Sequence, residues 1–174
     1  MKELLVVVDI QNDFVTGSLG TKEAQEIVQN ARKKIESYEQ DNKEIVFTRD
    51  THEENYLMTQ EGRNLPVKHC IRGTEGWEII PELQEYTKGR RIFDKPSFGS
   101  IDLASYIRDG GYDRVEFIGL CTDICVVSNA LLVKAYAPEI TVSADASCCA
   151  GVTPQSHDSA LCTMKMCQIE INYK

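Results

Sequence analysis

Between Asp9 and Phe14, directly after the first apolar run of the chain, there is no glycine. A dinucleotide-binding turn needs several there so that the backbone can close on a pyrophosphate, and their absence excludes that reading. No G-x-x-x-x-G-K-[ST] segment occurs either, which removes the phosphate-cradling loop of nucleotide triphosphatases. None of the seven cysteines stands in a C-x-x-C pair, so thiolate zinc sites and thioredoxin-like redox motifs lack their usual spacing. Positive charge is scarce: 19 Lys and Arg against 27 Asp and Glu leave a formal net charge of -8, with no basic stripe. Nucleic acids and anionic membrane surfaces both reward a basic face, so neither is an expected partner. The N-terminal apolar run stops at Asp9, too short for a signal-peptide core or a membrane span. We expect a cytoplasmic protein with reduced thiols, because an odd cysteine count without an export signal does not fit a disulfide framework.

What is present is a chain of 174 residues, 42% hydrophobic and 26% charged, which suits one domain over residues 1–174 with a substantial core. Apolar runs predict strands at Leu4 to Val8, Glu44 to Thr48, Arg91 to Asp94, Arg114 to Leu120, Ile140 to Val142 and Cys167 to Ile171. Between them, Thr21 caps a helix through about Gln40, with Ile27, Ala31 and Ile35 at helical spacing. Further helices are predicted within Trp77 to Tyr86, at Ile101 to Asp109 before Gly110-Gly111, at Asp123 to about Tyr136, and at Thr153 to Met166. Strands alternating with helices require right-handed crossovers, hence an α/β fold of three α/β/α layers around a six-stranded parallel sheet with helices on both faces. The polar stretch 50–76 is too long for a neutral connector and is expected to carry part of a site.

Three strand ends carry the chemistry. Cys125 follows the strand Arg114 to Leu120 across a short polar turn, at an expected helix start, where unpartnered N–H groups should favour a thiolate. Asp9 closes the first strand and Lys95 the third, supplying a base and a cation. The N–H groups of Cys121 and Cys125 are candidate donors to an oxyanion, which points to acyl transfer. A second set lies in the 50–76 loop: Asp50, His52, Glu61 and His69, two carboxylates and two imidazoles able to hold a borderline divalent cation, with Glu53 and Glu54 as alternatives to Glu61. Each residue alone has a plainer reading: a packed cysteine, a turn aspartate, a solvated lysine, surface histidines. Their joint placement beyond the carboxyl ends of parallel strands, where such sheets bind ligands, favours a site.

These residues fall in segments that together resemble the isochorismatase-like cysteine hydrolases, and among them the nicotinamidases. Val7-Val8-Asp9-Ile10-Gln11-Asn12-Asp13-Phe14 is similar to the family's opening D-x-Q-x-D-F motif, and Thr48-Arg49-Asp50-Thr51-His52 to its D-x-H. His69-Cys70-Ile71-Arg72-Gly73-Thr74, Phe93-Asp94-Lys95-Pro96-Ser97-Phe98 and Gly119-Leu120-Cys121-Thr122-Asp123-Ile124-Cys125-Val126 follow in the family's order. The resemblance implies catalysis by Asp9, Lys95 and Cys125 through a thioester, and a cis peptide before Cys121. It also implies a divalent metal (zinc, with iron or manganese as alternatives) that holds a pyridine nitrogen. Phe14, Leu65 and Cys121 would contact the substrate, nicotinamide or a similar amide, in a reaction of NAD salvage. A relative acting on another small amide or ureido compound, or one that only binds, is the alternative, and self-association is a family habit. The approach to His69, Leu65-Pro66-Val67-Lys68, departs from the nicotinamidase pattern in lacking its aromatic and proline pair.

Overall fold

Every residue from Leu4 to Val8 is buried, with Leu5 and Val7 packed into one apolar cluster and Leu4, Val6 and Val8 into another. A strand apolar on both faces belongs in the middle of a parallel sheet covered on both sides. The computed structural model, which describes residues 1–173, places it there. The strands are β1 (Glu3–Val8), β2 (Glu44–Asp50), β3 (Ile92–Lys95), β4 (Arg114–Leu120), β5 (Thr141–Ala150) and β6 (Glu170–Asn172). They pair in the order β3-β2-β1-β4-β5-β6, all parallel. Helices α1 (Asn12–Val15), α2 (Lys22–Glu26), α3 (Val28–Gln40) and, beyond α4 (Gln60–Asn64), α5 (Pro81–Gln84) pack on one face. Helices α6 (Ile101–Asp109), α7 (Val127–Tyr136) and α8 (Pro154–Met166) cover the other. The direction of winding reverses between β1 and β4, which makes the carboxyl ends of these two strands the natural ligand crevice. No helix among the described residues is long and apolar enough to cross a membrane.

Four elements depart from the sequence expectation. The helix from Thr21 is two helices that meet at Ile27; Thr21 does cap the first, accepting from the Ala24 N–H. Strand β5 runs far beyond Ile140 to Val142 because Ser143 and Asp145, which interrupt the apolar pattern, are themselves fully buried. Lys34 Nζ reaches across to Asp145 at 2.7 Å and to Glu116 at 3.3 Å, so the sheet face under α3 carries a paired ionic cluster. Cys167 ends α8 as its cap and Gln168 turns at positive φ, which delays β6 to Glu170. The 50–76 stretch holds a 3-10 turn at Tyr56–Met58 and α4, and His52 and Ile71 form a parallel bridge that closes it into a loop.

Gly119 sets how closely β4 approaches β1. Its φ is +119 and an added Cβ would sit 2.1 Å from the Val8 carbonyl oxygen, beside Asp9 and one residue before the cis Leu120–Cys121 peptide. Gly119→Ala is expected to destabilise the fold by about 1–3 kcal/mol, through strained backbone and displaced strands. A denaturant midpoint equal to that of the native sequence would contradict this close approach.

Candidate active site

Asp9 leaves β1 at φ +47, a left-handed backbone for a residue with a side chain, and this turns its carboxylate into the crevice. Thr48 at the matching end of β2 donates to Asp9 Oδ1 at 2.6 Å. Lys95, the last residue of β3, is almost fully buried, and its Nζ lies 2.6 Å from Asp9 Oδ2, 3.2 Å from Cys125 Sγ and 3.4 Å from Asp50 Oδ1. The base, the cation and the thiol expected from three strand ends thus meet at one point. A charge this deep is tolerated because it is paired on several sides.

Cys125 does not stand at the first residue of a regular helix. The chain enters a π-helical turn, Thr122–Val126, before α7 begins, and the Val126 N–H bonds to the Cys121 carbonyl at 3.0 Å. Such turns are uncommon and concentrate at functional sites. Two side chains tie this turn to the segment after β5: Thr122 meets His157 Nδ1 at 2.7 Å, and Asp123 accepts from the Val152 N–H at 3.1 Å. His157 is therefore half-buried against the turn rather than a plain helix-surface residue.

The electrostatics correct the expected thiolate. Burial pushes the Cys125 thiol well above its ordinary pKa, and Asp9 pushes it the same way, against Lys95. Burial raises Asp9 as well, with Lys95 pulling it down and Asp50 up. For Lys95 burial acts against the charge, but the carboxylates of Asp9 and Asp50 outweigh it and hold the ammonium. Enclosure wins over the partial charge of a helix start, so the sulfur rests as a thiol beside a base of raised affinity for protons. Cys121, also enclosed, is pushed up to about 12.

Asp50 belongs to both constellations. Its Oδ1 faces Lys95, while its Oδ2 lies 2.9 Å from His52 Nε2 and 3.4 Å from His69 Nε2. Glu61 Oε1, from α4, is 3.6 Å from His52 Nε2 and 3.9 Å from His69 Nε2. One donor atom from each of the four residues lies within 4.8 Å of the others. His69 Nδ1 donates to the Val67 carbonyl at 2.8 Å, which turns its other nitrogen toward the carboxylates. Tetrahedral sites with bonds of about 2.0–2.1 Å have donor separations of about 3.4 Å, and the distances here bracket that value. Two imidazoles and two carboxylates suit zinc, iron or manganese, so the residues present fit a divalent ion.

The sequence reading did not assign Gln11, Tyr56 or Thr48. Gln11 is fully buried and clamps the backbone of Asp50, donating to its carbonyl at 2.9 Å and accepting from its N–H at 2.7 Å, while also donating to the Trp77 carbonyl. Tyr56 packs its ring against His52 and His69 at 4.6 and 5.0 Å between centroids, and its hydroxyl donates to the Leu65 carbonyl. Gln11 and Thr48 both belong to segments that resemble the family, Gln11 two residues after Asp9, and that placement is the signal the sequence offers. Tyr56 had none in the pattern.

A cavity of 280 Å³ opens on both constellations. Phe14, Leu65 and Cys121 line it, together with Cys125, Asp50, Glu61 and His69 and the apolar Leu19, Phe98, Ile124 and Val152. Among the described residues the lining contains no lysine or arginine. A larger cavity of 710 Å³ beside α3 is lined by Lys33, Arg114 and two paired lysines, Lys34 with Glu116 and Asp145 and Lys43 with Glu3, and holds no thiol and no histidine.

The Isochorismatase domain family matches residues 3–171. The chain belongs to the isochorismatase family. Among its relatives in that family, the nicotinamidase of Escherichia coli is 27% identical over 192 residues, covering 93% of this chain and 89% of that one. The pyrazinamidase of Pyrococcus horikoshii, solved in complex with zinc, superposes with a TM-score of 0.86 at 29% identity over 100% of both chains. The N-carbamoylsarcosine amidase of Thermoplasma acidophilum superposes with a TM-score of 0.82 at 27% identity, covering 99% of this chain and 96% of that one. Isochorismatase-family membership and these amidase relatives make the chain an amidohydrolase.

Proposed function

We propose that this amidohydrolase is a nicotinamidase, converting nicotinamide to nicotinate and ammonia through a thioester on Cys125. The observation that carries the reading is one small apolar cavity bounded by both the thiol and the four-donor cluster, with no lysine or arginine among the described residues that line it. Its volume of 280 Å³ lies just under the roughly 300–1,000 Å³ of small-molecule pockets, which suits a single ring. A ureido substrate bearing a carboxylate would find no lysine or arginine to pair with there, whereas a neutral heteroaromatic amide needs none.

Asp9 takes the proton of Cys125 Sγ as the sulfur attacks the carboxamide carbon. The N–H groups of Cys121 and Cys125 hold the oxyanion, and Lys95 keeps the growing negative charge paired. Asp9 then returns the proton to the departing ammonia. It next deprotonates a water, whose attack releases the carboxylate and restores the thiol. Asp50, His52, Glu61 and His69 would hold the divalent ion, which when bound supplies a Lewis acid for the ring nitrogen. Phe14, tilted 5.6 Å from the His69 ring, borders the same space.

The test is ammonia release from nicotinamide, pyrazinamide and N-carbamoylsarcosine, before and after chelation. Turnover of the pyridine and pyrazine amides should vanish with chelator and return with zinc, iron or manganese. His52→Ala and His69→Ala should each lower metal content and weaken substrate binding by about tenfold or more. Chelator-resistant turnover confined to the ureido compound would overturn the substrate assignment, and undiminished metal content in both variants would overturn the ligand set.

A further inference from the structure

Helix α7 is apolar on the side that faces the sheet, yet Asn129 sits in it, 1% exposed. Asparagine disfavours helix interiors, so a buried one needs partners that no aliphatic residue could satisfy. Its partners are specific. Nδ2 donates to the Cys125 carbonyl at 2.8 Å and to the Phe98 carbonyl at 3.1 Å, and Oδ1 accepts from the Ser100 N–H at 2.9 Å. Two carbonyls and one N–H match the two donors and the acceptor of a carboxamide in a single orientation.

These bonds close a circuit. Lys95 Nζ donates to the Ser97 carbonyl at 3.1 Å and lies 3.2 Å from Cys125 Sγ. From Ser97 the chain passes through Phe98 to Ser100, both held by Asn129, which in turn holds the Cys125 backbone. Ser100 also caps α6, accepting from the Leu103 N–H, so the far end of the segment is anchored. Where a π-helical turn hands over to regular α-helix the backbone ladder is locally irregular, and there Asn129 meets the Cys125 carbonyl. We propose that Asn129 is a positioning residue that locks the segment following Lys95 onto the helix bearing Cys125. It thereby sets the Lys95–Cys125 contact and holds Phe98 in the cavity wall.

The inference rests on the roles proposed for Lys95 and Cys125, and its test includes a readout independent of substrate. Asn129→Asp keeps the shape but turns an oxygen toward two carbonyls. Asn129→Ser keeps only a bond to the carbonyl four residues back, sparing the helix while releasing the segment. In folded protein isolated by size exclusion, kcat on nicotinamide and the rate of Cys125 alkylation by iodoacetamide, followed by peptide mass spectrometry, are compared with the native sequence. Both variants should lose tenfold or more in kcat with KM changed less than threefold, and Cys125 should alkylate at least threefold more slowly as Lys95 ceases to favour its thiolate. Native kcat and alkylation rates in either folded variant would overturn the proposal. So would failure of the Ser variant to fold, because Asn129 would then serve folding alone. If the native protein leaves nicotinamide intact, the substrate reading falls while the alkylation comparison still decides the role of Asn129.

Discussion

Cys125→Ala is expected to reduce ammonia release by about 10³-fold or more while the protein remains folded. The size of the effect follows from what the sulfur does: without it no thioester forms, and the water left behind must attack an amide directly. The small structural cost follows from packing. Cys125 is 4% exposed in an apolar cluster, and removing one sulfur leaves a gap of about one atom among Val126, Ala130 and their neighbours. Lys95 loses its contact at 3.2 Å but keeps Asp9, Asp50 and the Ser97 carbonyl. Circular dichroism should match the native protein, and metal binding at Asp50, His52, Glu61 and His69 should persist. Amide hydrolysis at the native rate in that variant would end the covalent mechanism. Rapid quenching of the native enzyme should in turn yield an acylated peptide containing Cys125, and the Ala variant none.

How much of this was legible depended on whether a residue's role is local. Parallel strands end at one edge of the sheet, so apolar runs closing on Asp9, Asp50 and Lys95 already implied that these groups would gather, and the structure brings them together with Cys125. Glu61 could be chosen on spacing, because α4 lies between the two histidines in the same loop. Strand β5 outruns its apolar pattern because Asp145 and Ser143 have the polarity of surface residues, and the Lys34 that pairs with the aspartate lies more than a hundred positions earlier. The state of Cys125 is not local for a related reason: a helix start is one segment, whereas the surroundings of this thiol are fixed by four. Gln11 and Asn129 hold backbone groups distant in sequence and Thr48 a distant carboxylate, contacts whose far partners no spacing in the chain names.

Lys95→Met should combine loss of activity with a large loss of stability, a pairing that separates Lys95 from an ordinary catalytic residue. The methionine fills nearly the same volume, so the change is chiefly the removal of a charge. Asp9 and Asp50, 0% and 4% exposed, would then face each other's charge with no cation between them. Breaking a buried ion pair from one side typically costs about 3–5 kcal/mol. For a domain of this size that corresponds to a fall in Tm of roughly 6–20 °C. Adding Asp9→Asn to Lys95→Met removes one of the stranded carboxylates, so the double variant should regain part of the stability and none of the activity. The two substitutions should therefore be non-additive in stability by about 1 kcal/mol or more, as expected for groups 2.6 Å apart. An unchanged Tm in Lys95→Met would mean that Asp9 already carries a proton at rest. The base for the first proton transfer would then have to be sought elsewhere in the cavity, and the mechanism drawn through Asp9 would fall with the ion pair.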